Sequence, residues 1–331
     1  MPDPQPPRKN PLRRWALPAI AVVLVAYFVA STDLPKVLAA IRQANLALFG
    51  ATAVVVALTT WVYDSWCLTW LIGATLGHRG NPQPVKLGAI LPIKGASYLL
   101  NIVNYHAAAL GMAYLVGRRK GVPYLEAAGA MATLSYIDLV AVTAMAMVGV
   151  WLAPDFFGPY PALQAWLKMV AAAVFAGALV TALLLQSKLE HPLLSKLRQF
   201  APLRPISALG PRQMLAGLGL RTVLIVVYAA TTYAQMAAFG LHPVWGRIFV
   251  AVPILTVVGT IPISVSGFGS TQVLMRSFYA PFVAAGLPAV ATIDGFSTLY
   301  IASFIVVRLF IAAPFFRAIS RELQERPDAI D

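Results

Sequence analysis

"VVGTIPISVSGFGSTQVLMR", residues 257–276, interrupts an apolar run that would otherwise read as one membrane helix. It carries Pro262, Gly267 and Gly269, the hydroxyls of Ser264, Ser266, Ser270 and Thr271, the Gln272 amide and the Arg276 charge. Proline and glycine break helices, and the polar groups need hydrogen-bond partners that hydrocarbon does not supply. Irregular backbone persists at membrane depth only where it is buried in protein or lines a wet cavity. The stretch therefore reads as facing inward. A half-helix ends near Thr260, a turn follows through residues 261–269, and a second half-helix starts at Ser270. The unpaired N–H groups at that start favour an anion such as a phosphate. Arg276, about a turn beyond Gln272, adds a full charge. The plainer alternative is a tight helix-hairpin contact made by small residues.

Composition supports a membrane setting. Of 331 residues, 59% are hydrophobic and 11% charged, and mean hydropathy is +0.75. Soluble domains carry about 25% charged residues, so this chain cannot coat itself with a polar surface. The net charge of +13 sits in short basic runs between apolar spans. There it sets topology and meets anionic headgroups, and nucleic acid is not an expected partner. The single cysteine, Cys67, allows neither an intrachain disulfide nor a metal cluster.

Six stretches have, or nearly have, the roughly 20 apolar residues a span needs: 15–31, 46–73, 123–152, 165–186, 213–240 and 287–316. The first follows "RKNPLRR" and reads as an uncleaved helix. Two more apolar stretches are interrupted, 85–117 and 244–286. Basic loops belong on the cytoplasmic side. The amino end carries Arg8, Lys9, Arg13 and Arg14 and the carboxyl tail Arg317, Arg321 and Arg326, so both termini are expected in the cytoplasm. "GRRKG" at 117–121 also stays inside if 85–117 enters and leaves on one face. "APDFFGPYPALQ" at 153–164 has no Lys or Arg and belongs outside. The same bookkeeping makes 244–286 return to the outer face, although Arg247 there counts against it.

The expected fold is an all-α polytopic membrane protein with six full spans and two re-entrant broken-helix hairpins. It forms an inverted-topology repeat, with residues 15–152 as the first unit and 165–316 as the second. The connector 187–212 alternates apolar and basic residues and reads as an interfacial segment or a plain basic linker.

Candidate binding residues lie in both hairpins. The first offers Lys94, Asn101 and Asn104, the last two sharing a helix face. The second offers Ser264, Ser266, Gly267, Gly269, Ser270, Thr271, Gln272 and Arg276. His106, beside three alanines, reads as a hydrogen-bonded core residue rather than a relay. Intramembrane charges normally face the bundle interior and pair. Asp64, Asp138 and Arg221 are therefore candidates for charge balance or proton relay. Asp64 or Asp138 counters Arg221 or Lys94, with the pairing open, and Tyr136 is a near neighbour that can donate to Asp138. Arg221 and Arg308 lie in the inner halves of their spans, where snorkelling is the plain alternative. Glu126 and Asp294 lie near span ends and are expected to be solvated. No nucleophile elbow, Walker loop, zinc motif or close carboxylate pair is present. No catalytic residue, metal or cofactor is expected.

"IPISVSGFGSTQ" resembles the "lP-x-s-x-G-G-x-G-x-x-E" signature of the lysylphosphatidylglycerol synthase transmembrane region, a family of flippase-like membrane proteins. "KGASYLLNIVNYHAAALG" and "GVPYLEAAGAMATLSYIDLVAV" extend the likeness more loosely. Ser266 stands where the family has its first glycine and Gln272 where it has an acid. Tyr136 replaces an arginine before the retained Asp138 and Leu139. The aminoacyl-transfer domain of the full synthases is not seen in the chain. The resemblance implies lipid or polyprenyl-lipid translocation, not lipid aminoacylation. With the anion-favouring half-helix, the expected function is a transporter or flippase in the plasma (inner) membrane for a lipid or lipid-linked intermediate with an anionic headgroup. A non-transporting partner subunit of a lipid-modifying enzyme is the alternative, and a homo-oligomer or a lipid-synthesis enzyme partner is open.

Overall fold

The computed structural model describes residues 30, 32–76, 85–103, 105–153, 161–187, 190–260 and 270–325. In chain order the helices are α1 (Leu34–Gln43), α2 (Leu46–Leu76), α3 (Leu87–Val103), α4 (Tyr105–Lys120), α5 (Tyr124–Leu152), α6 (Pro161–Gln186), α7 (Pro192–Gln199), α8 (Arg204–Ala208), α9 (Pro211–Ala237), α10 (Trp245–Thr260), α11 (Ser270–Tyr279) and α12 (Ala289–Glu325). Among the described residues there is no strand beyond an isolated bridge between Leu241 and Val283. The fold is all-α, and α2, α5, α6, α9 and α12 are each long and apolar enough to cross a membrane. They match five of the expected spans. The sixth, 15–31, lies outside the described residues.

The two interrupted stretches become pairs of short helices. Helices α3 and α4 have 17 and 16 residues, about 25 Å each at 1.5 Å per residue, short of a hydrocarbon core of about 30 Å. They run antiparallel, since a Cβ on Gly111 would meet Leu100 across the pair. Val85 and Val122, at the two ends of this unit, join one apolar cluster with Ile90, Val116 and Ala127. The second unit, α10 and α11, closes on itself through the backbone. The His242 N–H donates to the Phe282 carbonyl at 2.8 Å, and the Ala284 N–H donates to the Gly240 carbonyl at 3.1 Å. Gly240 ends the α9 exit with φ +71°, a left-handed cap that side chains disfavour. The two ends of this unit thus meet.

Packing between the halves is reciprocal. Helix α2 packs on α9. The first hairpin arm of each half packs on the last span of the other, α3 on α12 and α10 on α5. The second arm packs on the last span of its own half, α4 on α5 and α11 on α12. Exchanging the halves maps each of these contacts onto another. The α5–α10 contact is backbone on backbone: a Cβ on Gly149 would lie 2.6 Å from the Val250 nitrogen. Small residues let membrane helices approach closely enough for van der Waals packing to hold them together. Near one end of this core, Phe49, Phe239 and Phe296 pack edge to face on one another.

Two expected solvated carboxylates are buried. Glu126, 9% exposed, pairs with Arg204 of α8 at 2.5 Å. Asp294 is 0% exposed and pairs with Arg276. Position near a span end did not reveal either partner, because both come from distant segments. Arg204 also fastens the 187–212 connector to α5. On α7, Leu193 and Leu197 are exposed, while Arg198 donates to the Leu184 carbonyl at the end of α6.

Two tests follow from this architecture. Gly149→Leu forces α5 and α10 apart and should cost about 1–3 kcal/mol, read as a lower melting temperature in detergent. Gly177→Leu on α6, where nothing lies within 4 Å, should melt like the parent; equal melting of both variants would refute the close contact. For the inverted arrangement, single cysteines in place of the exposed Tyr124 and Val244, with Cys67 removed, should label asymmetrically in intact cells. A thiol reagent that cannot cross the membrane reaches position 244 and not 124. Labelling of both sinks the arrangement.

Candidate functional site

Arg221 sits in a stretch of α9 that is apolar but for Thr222. A guanidinium there is tolerable only if its charge and donors are met by protein. Its Nε and Nη2 donate to the two carboxylate oxygens of Asp138 on α5, the latter at 2.8 Å. Its Nη1 donates to Asp64 Oδ1 on α2. The second oxygen of Asp64 pairs with Lys94 Nζ on α3. The four charges therefore compensate one another and tie four helices together. Asp64 and Arg221 are 6% and 8% exposed, so this attraction is little screened by water. The open pairing resolves into a chain, Lys94–Asp64–Arg221–Asp138. Tyr136 does not serve Asp138; two residues away on a helix it points elsewhere, and it interacts with Thr181 of α6.

These charges stand on the wall of a cavity of about 770 Å³ bounded by residues of α2–α5 and α9–α12. Most of its lining is apolar, including Leu134, Leu255, Met275 and Ile301. That size and character suit a site for a lipid-sized ligand with a few oriented polar groups. Asp64, Lys94, Asn101, Asp138, Arg221 and Thr271 all line it. On α11, Thr271, Met275 and Tyr279 line the cavity at four-residue spacing. The residues one position on turn toward α12. Gln272, 0% exposed, lies with its Nε2 3.4 Å from Thr298 Oγ1. Arg276 grips both oxygens of Asp294 at 2.6 and 2.7 Å and reaches Thr32 Oγ1 at 3.0 Å. Gln272 and Arg276 thus connect α11 to α12 instead of lining the cavity. Asn104, Ser264, Ser266, Gly267 and Gly269 lie outside the described residues, and Ser270 marks the start of α11.

One cavity residue had only a weak signal. Arg308 of α12 does not snorkel; it faces the cavity. Its Nη1 donates to Asn101 Oδ1 of α3. Its guanidinium lies 3.4 Å from the ring centre of Phe304 and 4.8 Å from that of Tyr98. Its partners Tyr98 and Asn101 on α3 are distant from it in sequence.

The charge chain makes a double-mutant test. Asp64→Ala leaves two buried cations sharing Asp138 and should destabilise by about 3–5 kcal/mol. Adding Lys94→Met restores the balance and should recover a good part of the loss in melting temperature. Additive losses would mean that Lys94 and Asp64 are not coupled.

The comparisons with known proteins agree with this membrane architecture. The family model described as the lysylphosphatidylglycerol synthase TM region matches residues 15–305. That range takes in all four members of the charge chain and α11. No curated protein matches the chain. Over most of its length, then, this chain belongs to the family of the lysylphosphatidylglycerol synthase transmembrane region.

Proposed function

We propose that this protein is a flippase-like transporter that moves a lipid, or a lipid-linked intermediate, with an anionic headgroup across the plasma membrane. The observation that carries this reading is a lipid-sized cavity, apolar over most of its lining, inside an all-helical membrane bundle. A buried charge chain sits on one wall. Acyl chains suit the apolar walls and a headgroup suits the polar side. The cavity lies between two units whose contacts are reciprocal, where repeat-built transporters place their substrates. Rocking of one unit against the other would open the cavity to each face in turn, with both termini in the cytoplasm. Membership of a family named for a lipid synthase's membrane region supports a lipid as the substrate.

Purified protein in liposomes with headgroup-labelled lipids tests the reading. The parent should expose anionic lipid across the bilayer faster than protein-free liposomes. Ala132→Trp adds bulk at a position that lines the cavity without altering a charge, and should cut the rate at least about tenfold, a barrier change of about 1.4 kcal/mol, at an unchanged melting temperature. No protein-dependent exposure across a broad headgroup panel would count against transport.

A further inference from the structure

Among the described residues, the cavity wall carries three cations, Lys94, Arg221 and Arg308, and two carboxylates, Asp64 and Asp138. The first two cations are taken. Both oxygens of each carboxylate already meet Lys94 or Arg221. An incoming anion that drew either cation away would leave a carboxylate buried and unpaired, which costs several kcal/mol.

Arg308 differs. Among the described residues no carboxylate pairs with it; its hydrogen-bond acceptor is the neutral Asn101 amide. Phe304 and Tyr98 cover the guanidinium by ring contact. Such contact stabilises the cation through its face and leaves edge donors for an acceptor. A second, independent observation points the same way. The Tyr98 hydroxyl has no hydrogen-bond partner among the described residues, although Tyr98 is only 2% exposed. The Tyr279 hydroxyl, 0% exposed, is in the same condition, and both tyrosines line the cavity. Buried polar groups normally find partners, so unpaired donors beside a cavity mark where a ligand's acceptors belong.

Resting on the reading of the cavity as a headgroup site, we propose that Arg308 is its anion-binding residue and that the ligand is a phosphodiester bearing one negative charge. Tyr98 supplies a neutral donor beside it. One charge neutralises the charged groups described on the wall; a diphosphate brings at least one more, for which no free cation lines the cavity among the described residues. The anion thus binds on α12 against α3, and the charge chain holds the framework. Arg308 stands just beyond the family match at residues 15–305, so the proposal rests on this chain's own geometry.

The test uses full-length protein in detergent and four probes, with binding followed by thermal shift and tryptophan fluorescence. The probes are short-chain phosphatidylmethanol, short-chain phosphatidylcholine, farnesyl diphosphate and dimethyl phosphate. The parent should bind phosphatidylmethanol at least about tenfold more tightly than the zwitterion or the diphosphate, a difference of about 1.4 kcal/mol. Arg308→Gln should lose that preference, and Arg308→Lys should keep part of it, since it keeps the charge but not the planar fork. Parent-like binding by Arg308→Gln at an unchanged melting temperature overturns the proposal, as does tighter binding of the diphosphate. If Arg308→Gln does not fold, the parent's ranking of the probes and the Arg308→Lys variant still decide. Arg308-dependent binding with no lipid movement in liposomes supports the proposal and defeats the transport reading alone. Dimethyl phosphate bound as tightly as the lipid would also support Arg308, and would identify the ligand as a soluble phosphodiester.

Discussion

Everything in the middle of this protein is arranged around one guanidinium. Arg221 cannot sit in the apolar middle of α9 unless α5 brings Asp138 and α2 brings Asp64. Asp64 in turn cannot sit there on Arg221 alone, and α3 brings Lys94. A chain of like necessity sets the angular position of four helices. Hydrocarbon makes such pairs specific: apolar packing gains little over lipid contact, whereas an orphaned charge is costly in any other arrangement. The charges thus specify the bundle, and Gly149 and Gly246 let the backbones close around it.

Much of this was legible in the sequence because bilayer thickness and the distribution of Lys and Arg are strong constraints. Hydrophobic length located α2, α5, α6, α9 and α12. Charge counting required residues 244–286 to return to their starting side, and backbone bonds between 240–242 and 282–284 join those ends. Pairing was not legible. Asp294 meets Arg276 and Glu126 meets Arg204 through tertiary contacts that no periodicity encodes. The same limit hid the surroundings of Arg308, whose partners on α3 lie about two hundred residues away along the chain. On α11 the sequence identified polar residues correctly as inward-facing. It did not separate Thr271, which lines the cavity, from Gln272 and Arg276, which turn toward α12.

That division on α11 shows how a half-helix can serve both framework and cavity. Residues spaced four apart share a face. Thr271, Met275 and Tyr279 form the cavity face, and Gln272 and Arg276 form the anchoring face. A short amphipathic helix in water separates apolar from polar. Here both faces are buried, and the separation is between groups that meet protein and groups that meet the cavity.

The stitched ends of the second hairpin have a further consequence. Because Gly240 and His242 are bonded directly to Ala284 and Phe282, α9 and α12 are registered against each other without passing through the intervening chain. Residues between the stitches form a cassette. It is held by its ends and again by the packing of α10 on α5 and of α11 on α12. Ser266 and Gln272, where this chain leaves its family's signature, both fall inside that cassette.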